Sequence, residues 1–332
     1  FLLNVLNNLL LSILVMTDFI QIWHLVVLSF LNGSARATQM PASQALIPNL
    51  VPRNLLVNGI ALNQAALHGS RLIGPAFITP LLVTTQIEGA FLICVVFYLA
   101  SMVLALRLRT SSTGVVDRSS GLLSNMVVGL LYVYRTPTVL AIMMLALFHC
   151  GFTMSFESML PILSRNQLGV GGAGFGYLMM AVGAGALMAV VFVAGVNNEV
   201  IRGRLFLWLG VFSGLTPGIL GISTNIPMAL FGAFAMGVSQ AGFMALTHSM
   251  IQTIIPDGVR GRVGAVYSVH VGGMMALANL VNGSLADVVE TSIILMIGGL
   301  LFISVMVLSW RRISLRQIYT VGLRPELQNS ST

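Results

Sequence analysis

Lysine is absent from this sequence, acidic residues are scarce, and the two cysteines stand far apart. Each absence excludes a class of function. Every basic residue is arginine, and none sits in a basic helix with interleaved aromatics, so the net charge of +7 does not read as a nucleic-acid surface. Cys94 and Cys150 both fall in apolar runs, which leaves no disulfide framework and no metal-type spacing. No cofactor or metal is expected. A G-x-x-x-x-G-K-[ST] phosphate loop is missing, and with it ATP-driven transport by this chain. Neither paired aspartates on one face nor a histidine–carboxylate cluster is present, so a membrane-embedded enzyme is not expected. Charged residues make up only 8% of the 332 residues against 57% hydrophobic, with a mean hydropathy of +0.95. That leaves too little polar surface for a water-soluble globule, and the solvent must be largely lipid.

What is present is a series of apolar runs of about 17 to 25 residues, the length a helix needs to cross a hydrocarbon core of roughly 30 Å. Barrel strands would alternate polar and apolar residues, whereas Ala90 to Leu106 is apolar on every face. The fold class is therefore an all-α membrane protein. Breaks at glycine, proline and charge clusters predict ten spans: 1–17, 21–46, 57–84, 89–106, 138–162, 174–196, 205–222, 226–252, 263–285 and 291–310. Between the fourth and fifth lies the one long polar interval, which reads as a linker. Its later part spaces Leu122, Met126, Leu130 and Val133 as a short interfacial helix would. Placing the ends of even-numbered spans inside puts Arg53, Arg107, Arg109, Arg118, Arg135, Arg202, Arg204, Arg260, Arg262, Arg311, Arg312, Arg316 and Arg324 on one side and Arg165 alone on the other. By the positive-inside rule that side is cytoplasmic, the C-terminal tail included.

Sliding the chain on itself by the 204 residues between Pro52 and Pro256 aligns the first four spans with the last four. The fifth and sixth spans have no N-terminal counterpart, so about 70 residues carrying two helices are expected before Phe1, giving two six-helix halves. The expected domains are a bundle at 1–106, a cytoplasmic linker at 107–137, a six-helix bundle at 138–312 and a tail at 313–332.

Two such halves resemble the major facilitator superfamily. The strings Pro41 to Pro75 and Pro256 to Ser268 are similar to junctions in its enterobactin-exporter-like and macrolide-efflux-like branch. The resemblance implies ten of twelve helices, and it implies that the charged loops act as gates. Arg53, Asp257, Arg260 and Arg262 belong to those loops, with Asp257 placed to cap the following helix and pair with an arginine. Gly195 to Arg204 resembles the superfamily's loop between second and third helices through Gly195 and Glu199; Arg202 and Arg204 complete that gating set. Gly74-Pro75 resembles the glycine-proline core of the antiporter motif, though Ile78-Thr79 replaces the glycine pair expected after it. A Gly-Pro pair also suits helix packing.

Polar residues inside spans are costly unless they face a cavity or a partner. Asn32, Arg36, Gln39 and Ser43 form one face of the second span; Gln64, His68 and Arg71 mark the third; His149, Thr153 and Glu157 the fifth; Gln240 and His248 the eighth. The resemblance makes the second, fifth and eighth spans cavity helices. Taken together these residues are the candidate substrate path, with Glu157 the candidate proton carrier. The expected function is export of a small molecule, drug-like or siderophore, by alternating access, coupled to protons, from a monomer in the bacterial inner membrane. Uptake by the same fold and an inactive fragment are the alternatives.

Overall fold

The computed structural model describes residues 1–51, 62–63, 66, 69–70, 72–80, 86–108 and 122–323. Chain contacts divide it into two compact units, Phe1–Leu67 with Gly74–Val116 and His68–Ile73 with Asp117–Thr332. Among the described residues the regular structure is entirely helical, as lipid requires when no water is available to satisfy the backbone. Among the described residues, seven helical stretches are long and apolar enough to cross a membrane: Gly89–Leu106, Pro137–Gln167, Gly171–Ala194, Glu199–Gly221, Ile226–Ile254, Gly258–Leu285 and Thr291–Ser309.

The first unit contains α1 (Leu2–Met16), α2 (Ile22–Leu50) and α3 (Gln86–Leu106). Reciprocal bonds fix the start of α2. The Gln21 backbone N–H donates to His24 Nδ1 at 3.0 Å, and the Gln21 side chain accepts from the His24 backbone. α3 is apolar all round and packs against α1, leaving Leu92, Val96, Phe97 and Val103 outward. Residues 72–80 are helical, and Phe77 meets Phe97 edge-on at 6.5 Å.

The second unit comprises α4 (Leu122–Arg135), α5 (Pro137–Phe152), α6 (Gly171–Ala194), α7 (Glu199–Gly221), α8 (Ile226–Ile254), α9 (Asp257–Leu285), α10 (Thr291–Ser309) and α11 (Ile313–Val321). Its tightest contacts are backbone to backbone. A Cβ at Gly185 would strike the Phe234 carbonyl, and one at Gly237 the Val182 carbonyl, so α6 and α8 cross in direct contact. Gly214 and Gly299 do the same for α7 and α10. An aromatic core fills the other end, where Phe206 stacks on Phe243 at 4.8 Å and Phe302 meets Phe243 edge-on at 5.7 Å.

Four expectations need correction. The span 138–162 is not one helix: α5 stops at Phe152, a 3₁₀ turn runs Met154–Ser158, and a π turn runs Leu163–Gln167. Pro161 supplies the cause, since it has no N–H for the carbonyl one turn back and its ring crowds that carbonyl. Gln167 then ties the irregular end down by donating to the Gly221 and Ser223 carbonyls at 2.8 and 2.7 Å and accepting from Ser292. Second, α4 packs on α9 through Gly129 and Val133; Val133 belongs to the expected face, but Gly129 joins it and Leu130 turns outward. Third, Pro256 holds the N-cap position of α9, which puts Asp257 in the first turn rather than at the cap.

The fourth concerns residues 313–323, expected as tail. Leu315, Ile318, Tyr319 and Leu323 are buried in the core of the second unit. The Ile318 carbonyl lies against Gly203, Tyr319 Oη bonds Ser309 Oγ at 2.7 Å, and Trp310 stacks on Tyr319. Burial pushes the Tyr319 hydroxyl up to about 12, with the Ser309 bond working against the rise, so it stays protonated at neutral pH. Because backbone fills the space at Gly203, Gly203→Val is expected to unseat α11 and destabilise the protein by about 1 to 3 kcal/mol. A thermal melt in detergent checks this, and an unshifted midpoint would show that α11 is not docked on α7.

Candidate functional site

Among the described residues, polar side chains on the helices gather in a set in each unit. In the second unit the set is bonded from helix to helix, and among the described residues His149 Nδ1 is left buried without a partner. His149 is fully buried on α5; its Nε2 lies 2.6 Å from Ser213 Oγ on α7, and its ring packs against Phe243 and Phe302 at 4.7 and 5.0 Å. Thr153, also buried, donates its hydroxyl to the His149 carbonyl at 2.8 Å. Where α5 breaks, Gln240 of α8 donates Nε2 to the Thr153 carbonyl at 3.2 Å, taking up a carbonyl left near the broken helix end. Three helices thus meet on one short polar chain. Thr216 and Ser239 add a contact at 3.3 Å, and Asn282 Nδ2 donates to Ser155 Oγ at 2.7 Å.

The expected stripe of His149, Thr153 and Glu157 is therefore split. The first two lie inside the bundle, whereas Glu157 sits half-buried on the 3₁₀ turn, because tightening from 3.6 to 3.0 residues per turn rotates it off the line. Gln240 and His248 also part company: Gln240 is buried, while His248 is exposed beside Tyr267 at a ring distance of 5.7 Å.

In the first unit the set is open. Asn32, Arg36 and Gln39 share one face of α2, and Asn4 of α1 donates Nδ2 to Gln39 Oε1 at 3.3 Å. Asn4, Asn7, Asn8 and Ser12 are buried, and Asn8 donates to the Asn4 carbonyl at 2.8 Å. The Oδ1 atoms of Asn4, Asn7 and Asn32 are buried with no hydrogen-bond donor. Arg36, at the middle of the 29-residue α2, is exposed, and among the described residues it has no ion pair. Those α1 asparagines were not singled out from sequence, although their spacing of three and four was the available signal. Gln64, His68 and Arg71 lie outside the described residues, as do the side chain of Ser43 and residue Arg53. Gly74 is exposed with open space at its Cβ position, so no close helix contact is made there among the described residues; Pro75 follows it within the 72–80 helix.

At the charged junctions the helices begin earlier than the apolar runs do. Gly195 ends the preceding helix, Asn198 Oδ1 accepts from the Val200 and Ile201 N–H groups at 2.9 and 3.1 Å, and α7 starts at Glu199. Glu199, Arg202 and Arg204 are thus helical rather than loop residues. Glu199 and Arg202 form an i,i+3 ion pair at 3.0 Å, and Arg202 Nη2 reaches Ser249 of α8 at 3.5 Å. Arg260 and Arg262 are likewise in the first turns of α9, where Arg260 donates to the Ile255 carbonyl and the Arg262 carbonyl faces Gly129. The side chain of Asp257 lies outside the described residues.

Ser213→Ala is expected to strand His149 Nε2 and to lower stability by about 0.6 to 2 kcal/mol, the range for a hydrogen bond between membrane helices. Thermal unfolding in detergent reads it, and Ser213→Thr should keep most of the loss at bay. Equal midpoints for wild type and Ser213→Ala would remove the bond from the account of the core.

Two comparisons with known proteins bear on these arrangements. The family model described as transmembrane secretion effector, MFS_3, matches residues 1–329. A multidrug efflux pump, Tap of Mycolicibacterium fortuitum, is 25% identical over 186 residues, covering 54% of this chain and 44% of that protein. The match therefore spans less than half the length of that relative.

Proposed function

The chain belongs to the transmembrane secretion effectors of the major facilitator superfamily, and from that membership we propose that it serves export of small, drug-like molecules. The match over residues 1–329 carries the reading, and the name of the efflux relative supports its direction. Transport proceeds by alternating access of two helical bundles in a bacterial inner membrane, driven by protons, with the chain acting as a monomer and without catalysis. The substrate path runs along Asn32, Arg36 and Gln39 of α2 and the asparagines of α1, because among the described residues that band keeps unsatisfied acceptors and a cation without an ion pair. Glu157 is the proposed proton carrier. The ion pair of Glu199 with Arg202, together with Arg204, Arg260 and Arg262, works as the gate between states, and the C-terminus faces the cytoplasm.

Expressed as the full-length protein in a pump-deficient strain, it is expected to lower the steady-state content of at least one compound in a panel of cationic and anionic dyes. A protonophore should restore that content. Dye levels equal to those of the empty strain across the panel would overturn export. Within an active protein, Arg36→Leu is expected to reduce export of anionic dyes about tenfold at unchanged abundance, and an unaltered dye profile would take Arg36 out of the path. Orientation is checked separately: Thr320→Cys should react with an impermeant maleimide only in inside-out vesicles, and Asn166→Cys only in right-side-out cells.

A further inference from the structure

A basic patch stands where α10 leaves its apolar run. Val307 and Leu308, the last apolar residues of α10, are exposed to the surroundings of the bundle. The half-exposed Trp310 follows, then Arg311 and Arg312, and then Ile313, which is 76% exposed. Arg312 caps α11, and the backbone bond from Arg316 N–H to its carbonyl at 2.9 Å puts Arg316 one turn above it on the same face. All three arginines are exposed, and among the described residues none forms an ion pair. Among the described residues, Glu199 of α7, whose backbone lies against Gly322 at the end of α11, is the acidic residue on an element packed against α11, and Arg202 already pairs with its carboxylate. The opposite face of α11, Leu315, Ile318 and Tyr319, is buried in the bundle. The arginine face is therefore held at a fixed place and angle, with the Tyr319–Ser309 bond, the Trp310 stack at 5.7 Å and the close contact at Gly203 keeping it there.

We propose that Arg311, Arg312 and Arg316 form a binding site for the phosphodiester headgroup of an anionic phospholipid, with Trp310 and Ile313 seated among its acyl chains. The chemistry is matched on both counts. Guanidinium groups bind phosphate oxygens in a two-pronged geometry, and a tryptophan at the edge of an apolar surface marks headgroup depth. Continuity with exposed Val307 and Leu308 puts the patch at the membrane boundary rather than in bulk water. A soluble phosphate offers the same oxygens without the chains, so Trp310 and Ile313 would contribute nothing to it. The proposal rests on the chain being membrane-embedded and not on export.

The test uses the full-length protein in neutral detergent, titrated with phosphatidylglycerol, phosphatidylcholine or inorganic phosphate while thermal unfolding is followed. Phosphatidylglycerol is expected to raise the midpoint and the other two to leave it unchanged. Each arginine near an anionic surface strengthens attraction about fivefold. Arg312→Gln with Arg316→Gln is therefore expected to move the phosphatidylglycerol concentration for half-maximal effect upward by about twenty-fivefold. Arg165→Gln, an exposed arginine elsewhere in the unit, should not move it, and the double lysine variant should retain most of the response. An unchanged titration in the double glutamine variant overturns the proposal. So does equal stabilisation by inorganic phosphate, which would make the patch a site for free anions. Because no transport is measured, a failure of the export reading leaves these outcomes intact.

Discussion

The crossing of α6 and α8 at Gly185 and Gly237 is the contact on which the second unit rests. Lipid tails are as apolar as leucine, so bringing two membrane helices together gains almost nothing from removing apolar surface from its surroundings. Attraction must come from dispersion, which falls off steeply with distance, and from polar groups that find one another. Both require backbones to approach closely. Small residues permit it, and the same logic repeats at Gly214 and Gly299 between α7 and α10. Once those backbones are in contact, side chains on the flanking faces have little room to rearrange. The aromatic cluster of Phe206, Phe243 and Phe302 and the buried His149 follow from that geometry rather than causing it.

Close packing also explains how the broken span is tolerated. A helix interrupted at Pro161 leaves backbone groups without intrahelical partners, at a cost that membrane interiors do not forgive. Gln240 meets that demand from α8 at the Thr153 carbonyl, while Gln167, on the π turn itself, clamps that turn to the end of α7 and the start of α10. Two glutamines therefore stabilise an irregular segment that would otherwise be unstable in lipid. Their bonds cross between helices, so moving one helix relative to another would break them. That makes them structural members of the second unit.

Much of this architecture was legible in the chain, because hydropathy reports membrane thickness directly. The apolar runs near 89–106, 174–196, 226–252 and 291–310 correspond to helices. Helix starts were less legible. Hydrogen bonding continues beyond the hydrocarbon, so α7 begins at Glu199 and α9 at Asp257, about a turn and a half ahead of the apolar text. Leu315, Ile318 and Tyr319 carried the helical spacing of a buried face, but they follow three charged or polar residues after the last span and read as tail. The 3₁₀ turn at Met154–Ser158 could not be read from polarity; the proline that produces it could have been. As for the site, a face drawn on an ideal helix grouped His149 with Glu157, and the change in turn separates them.

The two polar sets differ in how much of their hydrogen-bonding capacity is already used. In the second unit His149 Nε2, Ser213, Thr153 and Gln240 bond to one another, and a ligand entering there would have to break bonds as good as those it makes. In the first unit the Oδ1 atoms of Asn4, Asn7 and Asn32 are buried without donors, each at a cost of about 1 to 3 kcal/mol. A donor arriving at those oxygens recovers that cost, and an anionic group arriving at Arg36 gains a counter-ion in surroundings of low dielectric. The first unit thus presents three unsatisfied oxygens, whereas in the second unit the named atoms are bonded to one another and His149 Nδ1 is the exception. That difference is why the proposed path follows the asparagines and Arg36, and why His149 is assigned to the frame.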